Sequence, residues 1–93
     1  MVKHIVMWKL KNKADVEIIK DKLEALVGKI PELLRLEVGV DFMNSDNSFH
    51  MVLSTEFESR EALDAYRLHP EHQAVIPLLQ IATIDRAVVD YEI

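Results

Sequence analysis

The segment Tyr66-Arg67-Leu68-His69-Pro70-Glu71-His72 contains most of the side chains in this chain that can transfer protons. Pro70 disfavours helical geometry at His69 and has no N–H to donate, which predicts that one helix ends near His69 and another begins with His69 as N-cap. His72 then lies in a first turn, where the helix dipole favours the neutral imidazole of a general base. Tyr66, about one turn back, adds a phenol that could donate to an oxyanion. Purely structural roles at a helix junction remain the alternative for all of them.

Length and composition limit what the rest of the chain can do. The 93 residues predict one domain, residues 1–93, of a size at which oligomerisation often supplements a small core. The absence of cysteine excludes disulfides and thiolate sites and suits a reducing, cytoplasmic location. A net charge of −5 without a basic block argues against nucleic acid as a partner. The apolar start, Met1 to Leu10, is too short and too interrupted by Lys3, His4 and Lys9 for a membrane span.

The elements that position the Tyr66–His72 segment follow from the apolar periodicity. Alternation with period two predicts four strands, and helical spacing predicts a helix of about four turns before the second strand and a helix pair before the fourth. The order βαββαβ predicts an α+β fold, an antiparallel four-stranded sheet with helices on one face. Pro77 is expected to bend or end the last helix. The predicted strands are 3–11, 35–43, 49–57 and 84–93. The first helix is predicted to start at Asp15, to weaken at Gly28 and to stop at Pro31. The second is predicted to begin with Ser59 as its cap, and the third to start at Pro70.

Both faces of the predicted sheet carry large apolar side chains. Ile5 and Met7 in the first strand and Val52 in the third lie on the face that the helices do not cover. An antiparallel sheet with one solvated face shows a cleaner alternation than this. The pattern therefore predicts a homodimer with twofold symmetry, in which a second copy covers the open face.

Three segments resemble one known family. They are Val2-Lys3-His4-Ile5-Val6, the stretch from Phe57-Glu58-Ser59 to Ala65-Tyr66-Arg67-Leu68-His69-Pro70-Glu71-His72, and Val89-Asp90-Tyr91-Glu92. Over essentially its full length the chain is similar to the stress-responsive A/B barrel (Dabb) family. The resemblance implies a ferredoxin-like protomer that forms a dimeric α/β barrel, with a pocket between sheet and helices.

The resemblance also suggests site residues. One plant branch of the family, the polyketide cyclase that makes olivetolic acid, uses a tyrosine and a histidine that correspond to Tyr66 and His72, and a pocket histidine that matches His4. The chain lacks the aromatic residues that shape that enzyme's tunnel between Asp15 and Gly28, so a long alkyl polyketide is not expected. No cofactor is otherwise required, but some relatives hold magnesium on backbone carbonyls that correspond to Val27, Ile30 and Leu33.

Three functions stay open at this point. The first is a homodimer that binds a small apolar or aromatic molecule without turnover, its pocket including Trp8, Met51 and His69 beside the candidate residues His72, Tyr66 and His4. The second is a cofactor-independent enzyme for aldol cyclisation or isomerisation, with His72 as base and Tyr66 as donor to the developing enolate. The third is a cofactorless monooxygenase of the kind found in the wider superfamily. A structural role remains the alternative for His4 within its strand.

Overall fold

The computed structural model describes all residues, Met1–Ile93. An antiparallel four-stranded sheet in the order β2-β3-β1-β4 carries the helices on one face, which confirms the predicted α+β, ferredoxin-like architecture. Each central strand therefore has two neighbours, and β4 is an edge strand. The elements are β1 Val2–Leu10, a short 3-10 helix Lys13–Asp15, α1 Val16–Glu24, β2 Arg35–Val40, β3 Met51–Phe57, α2 Arg60–Leu68, α3 Pro70–Ala82 and β4 Thr83–Glu92.

The core lies between the sheet and the helices. Alternate residues of β1 and β3 face the helices, because side chains of a strand point to opposite faces with period two. The pairing of His4 with Thr55 in β3 and with Asp90 in β4 fixes which face of each strand is involved. The largest fully buried side chains of this core are Tyr66, Phe57, Ile19, Leu23, Ile30, Met51 and Val6.

Several predicted boundaries are wrong at their ends. The first helix ends at Glu24 instead of continuing to Pro31, and Ala25–Lys29 form turns that close with Gly28 at φ +83°. A positive φ is readily adopted by glycine, which makes this the natural place to leave a helix. β2 ends at Val40, because the Asp41 carboxylate accepts a hydrogen bond from the Asn44 amide and turns the chain early.

Of the two outcomes expected at Pro77, a bend or an end of the last helix, the end does not occur. The helix α3 runs for 13 residues through Pro77. A proline leaves the carbonyl four residues earlier, that of Gln73, without its usual donor. Both residues are exposed, so water can replace the missing hydrogen bond.

The junction between α2 and α3 forms as predicted. Ser59 caps α2 by accepting a hydrogen bond from the amide of Ala62 at 3.1 Å. His69 caps α3 through Nδ1, which accepts from the amide of Glu71 at 3.1 Å, and Pro70 occupies the first turn. The break therefore holds Tyr66 in the last turn of one helix and His72 in the first turn of the next.

The other face of the sheet has no helix over it. Met7, Val89 and Tyr91 are exposed there, and the register places Ile5 beside Val89. None of the helices is long and apolar enough to cross a bilayer.

Candidate functional site

A cavity of about 580 Å³ lies between the sheet and the helices α2 and α3. Its buried wall includes His4, Trp8 and Tyr66, and His72 is half-buried beside them. The exposed lining residues mark its mouth, at the edge strand β4 and the outer ends of the helices: Arg67, Gln80, Arg86 and Val88. The remaining lining is mostly aliphatic: Val6, Leu23, Leu53, Val75, Ile76, Leu79 and Thr83.

Tyr66 is fully buried, and its hydroxyl has no hydrogen-bond partner. Its ring packs against Phe57 with centroids 4.9 Å apart and against His72 at 4.5 Å. Burial raises the pKa of the phenol to about 12, because a phenolate there would be poorly solvated. The hydroxyl is therefore a neutral donor that needs an acceptor, and an acceptor reaches it only if neighbouring side chains such as His72 move.

His72 is held in one tautomer. Its Nδ1 lies 3.0 Å from the backbone carbonyl of Arg67. A carbonyl only accepts, so Nδ1 carries the proton and Nε2 of the neutral ring keeps its lone pair. Burial lowers the pKa of His72, the Arg67 carbonyl opposes this, and the positive charges of His4, Arg67 and Arg86 lower it further. This is the direction that the sequence predicts, but its main cause is burial and not the helix dipole.

His4 belongs to a row of hydrogen-bonded side chains that also includes Asp90 and Arg67. Its Nδ1 forms a hydrogen bond with the carboxylate of Asp90, directly opposite on β4. The second oxygen of Asp90 accepts from Arg67 at 2.8 Å. The Asp90 carboxylate therefore orients the His4 ring and ties α2 to the edge strand. The ring centroid of His4 lies 6.5 Å from that of Tyr66, so both face the same wall.

The structure brings together His4, Trp8, Tyr66 and His72 around the cavity, but it does not bring Met51 or His69 there. Met51 is buried in the core at the start of β3, paired with Trp8 in the sheet. His69 turns its ring to cap α3, so its Nδ1 is already occupied. For this cavity, the expectation that these two residues are part of the lining is corrected.

Sequence reasoning gave no role to three polar residues of the site: Arg67, Arg86 and Asp90. Alternation along the last strand places Arg86, Val88 and Asp90 on one face, but alternation alone does not say which face meets the helices. The register of β4 with β1 decides it, because Trp8 pairs with Arg86 and His4 with Asp90. A histidine and an aspartate on complementary inward faces of the two strands are the signal that could have found the pair.

The magnesium site implied by the family resemblance finds no support in the geometry. The Ile30 carbonyl already accepts a hydrogen bond from the Leu33 amide at 3.1 Å. The Val27 residue is exposed, whereas Ile30 is buried. No group of three His, Cys, Asp or Glu side chains that could hold a metal ion occurs. No chemical step is assigned to a metal here.

Comparison with known proteins identifies similar domains. The family model described as "Stress responsive A/B Barrel Domain" (Dabb) matches residues 2–93. The stress-response A/B barrel domain-containing protein DABB1 of Arabidopsis thaliana is 27% identical over 100 residues, which cover 98% of this chain and 46% of that protein. The chain thus spans about half the length of this curated relative.

Solved structures share the fold. A dimeric ferredoxin-like protein of unknown function from Bacteroides fragilis is 36% identical, with a TM-score of 0.87 over 99% of this chain and 95% of that chain. An antibiotic biosynthesis monooxygenase is 25% identical, with a TM-score of 0.77 over 100% and 98%. A hydroxynitrile lyase from Passiflora edulis is 19% identical, with a TM-score of 0.86 over 99% and 92%, and shows the fold alone.

Proposed function

We propose that this chain, which belongs to the stress-responsive A/B barrel (Dabb) family, is a homodimer that binds a small, largely apolar molecule in the cavity between its sheet and helices. The cavity itself carries this proposal. Its volume of about 580 Å³ lies within the range of ordinary ligand sites, and its lining combines an apolar wall with a few polar groups. A hydroxyl of Tyr66 without a partner supplies a donor for an oxygen of the ligand.

Binding can be followed at Trp8, because it is the single tryptophan and it lines the cavity. We expect the indole N–H resonance of Trp8 to shift saturably when 2-acetylnaphthalene, an apolar ketone, is titrated into the protein. Tyr66→Phe should weaken binding by about two- to tenfold, because it removes one neutral hydrogen bond. An unchanged Trp8 resonance up to the solubility limit of the ketone would contradict the proposal.

The open face of the sheet supports the proposal of a homodimer. Met7, Val89 and Tyr91 are exposed there and form an apolar strip with the half-buried Ile5. The similar protein from Bacteroides fragilis is described as dimeric. Covering the strip with its own copy explains why it is apolar.

Sedimentation tests this directly. We expect a dimer at micromolar concentration and a monomer for Met7→Lys, which places a charge in the centre of the strip. Ile18→Lys is the matched control, because Ile18 is an exposed apolar residue on α1. A monomeric natural chain, or equal behaviour of the two variants, would refute an interface through this face.

The geometry of His72 favours a second candidate, an enzyme that moves a proton next to a carbonyl. Its fixed tautomer leaves Nε2 free to accept a proton, and its lowered pKa keeps the ring neutral near physiological pH. His72 would take a proton from the carbon beside the carbonyl, while the Tyr66 hydroxyl donates to the enolate oxygen that forms. Monooxygenase chemistry, the third class, has only the name of a structural neighbour in its favour.

Hydrogen exchange separates binding from catalysis. In heavy water, an enzyme of this kind should replace the methyl protons of bound 2-acetylnaphthalene with deuterium, which proton NMR detects. His72→Ala should abolish the exchange while the free energy of unfolding changes by less than about 1 kcal/mol. Binding of the ketone without exchange above the uncatalysed rate would leave the binding function and reject the enzyme.

A further inference from the structure

The cavity is lined by basic side chains and by no acidic one. His4, Arg67, His72 and Arg86 line it, and no aspartate or glutamate does. The chain as a whole has the opposite balance, with 16 acidic residues against 11 lysines and arginines. The lining thus differs in charge from the chain as a whole, and an anionic group is attracted to whichever of these basic groups has no acidic partner.

Arg86 is the basic residue of the lining that has no acidic partner and always carries a charge. Asp90 pairs with both His4 and Arg67. Arg86 forms no ion pair. It lies at the exposed mouth, on the inward face of β4 opposite Trp8, and its charge is felt at His72. Its guanidinium group thus presents free donors at the rim of an apolar cavity.

We infer that the ligand of this cavity carries a carboxylate on an apolar body, and that Arg86 binds this carboxylate. The inference rests on the proposed binding function and specifies its ligand. A guanidinium fork matches a planar carboxylate with two parallel hydrogen bonds. A phosphate monoester would bring almost two negative charges to a rim that offers one unpaired guanidinium, so a monoanion fits better. The apolar body then lies along the aliphatic and aromatic wall near Trp8.

Two probes of nearly equal shape test this. Naphthalene-2-carboxylate is ionised near neutral pH, and 2-acetylnaphthalene is neutral. At low salt we expect the carboxylate to bind about tenfold more tightly than the ketone, as measured by calorimetry and by the Trp8 indole resonance. Added salt should reduce this preference and leave the affinity of the ketone unchanged.

Arg86→Gln should weaken binding of the carboxylate about tenfold more than binding of the ketone, which removes the preference, and Arg86→Lys should restore only part of it, because lysine lacks the fork. Arg35→Gln is the control with the same change in net charge, on an exposed residue of β2 outside the cavity. If the carboxylate binds no better than the ketone, or Arg86→Gln and Arg35→Gln weaken it equally, the inference is wrong while the binding function stands. If neither probe binds the natural chain, the proposed binding function and this inference are both wrong.

Discussion

Tyr66→Phe is expected to leave the protein as stable as the natural chain, or more stable by about 1 kcal/mol. A buried hydroxyl without a partner costs about 1–3 kcal/mol, because it has lost its hydrogen bonds to water and gained none. The ring is retained, so its packing against Phe57 and His72 does not change. Tyr66→Ala should instead cost about 3–5 kcal/mol, because it leaves a cavity in the core.

The assay is urea unfolding at one fixed protein concentration, because the stability of a dimer depends on concentration. Thr55→Val provides the contrast. Thr55 is also fully buried, but its hydroxyl donates to the carbonyl of His4 at 3.1 Å. Removing this satisfied bond should destabilise the protein by about 1 kcal/mol, a change opposite in sign to that of Tyr66→Phe.

The comparison decides whether the phenol really lacks a partner. If Tyr66→Phe destabilises the protein as much as Thr55→Val does, the hydroxyl is bonded in solution. The hydroxyl would then not be available to a ligand oxygen without losing a bond that it already makes. We expect Tyr66→Phe to lose affinity for 2-acetylnaphthalene without losing stability.

Three further predictions concern the site and the elements around it. Burial lowers the pKa of His72 from its usual value, so the stability that its neutral ring contributes is fully present above about pH 6.5 and is lost as the pH falls through the folded-state pKa. An NMR titration of the ring that gave a raised midpoint would contradict this. Gly39→Ala should cost about 1–3 kcal/mol, because the new Cβ would lie 2.8 Å from Cγ1 of Val52, and adding Val52→Ala should recover most of the loss in the same unfolding assay. Pro77→Ala should stabilise the protein by about 1 kcal/mol by restoring a helical donor, whereas Pro70→Ala at the helix start should not; equal thermal shifts for the two would count against this account of α3.

Local signals in the sequence were sufficient for the helix junction. Pro70 restricts the residue before it and tolerates a helix start, so His69 had to be the cap and His72 had to follow in the first turn. Such constraints act over a few residues and need no knowledge of the fold. The same reasoning misplaced the end of α1, because the apolar residues Leu26 and Ile30 are still buried in the core although the helix ends at Glu24.

The charged rim of the cavity could not be found in this way. Arg86 lines the cavity and Asp90 contacts His4 because β4 pairs with β1 in one register, and a shift by one residue would turn both side chains to the opposite face. The apolar content of β4 does not fix this register, since both of its faces carry valines. The Asp90 contacts with His4 and Arg67 depend on long-range pairing, which no local pattern reports.

A buried hydroxyl without a partner reduces the stability of a small domain, and here that hydroxyl belongs to a residue in the wall of an apolar cavity. A binding site explains this combination, because a ligand in the cavity could accept a hydrogen bond from the hydroxyl. Val88→Phe tests it: Val88 lines the mouth opposite Val6, and a larger ring there should occupy part of the cavity. We expect unchanged or greater stability and a loss of binding of both naphthalene probes of at least about tenfold. If the variant binds both probes like the natural chain, the ligand does not enter through this mouth.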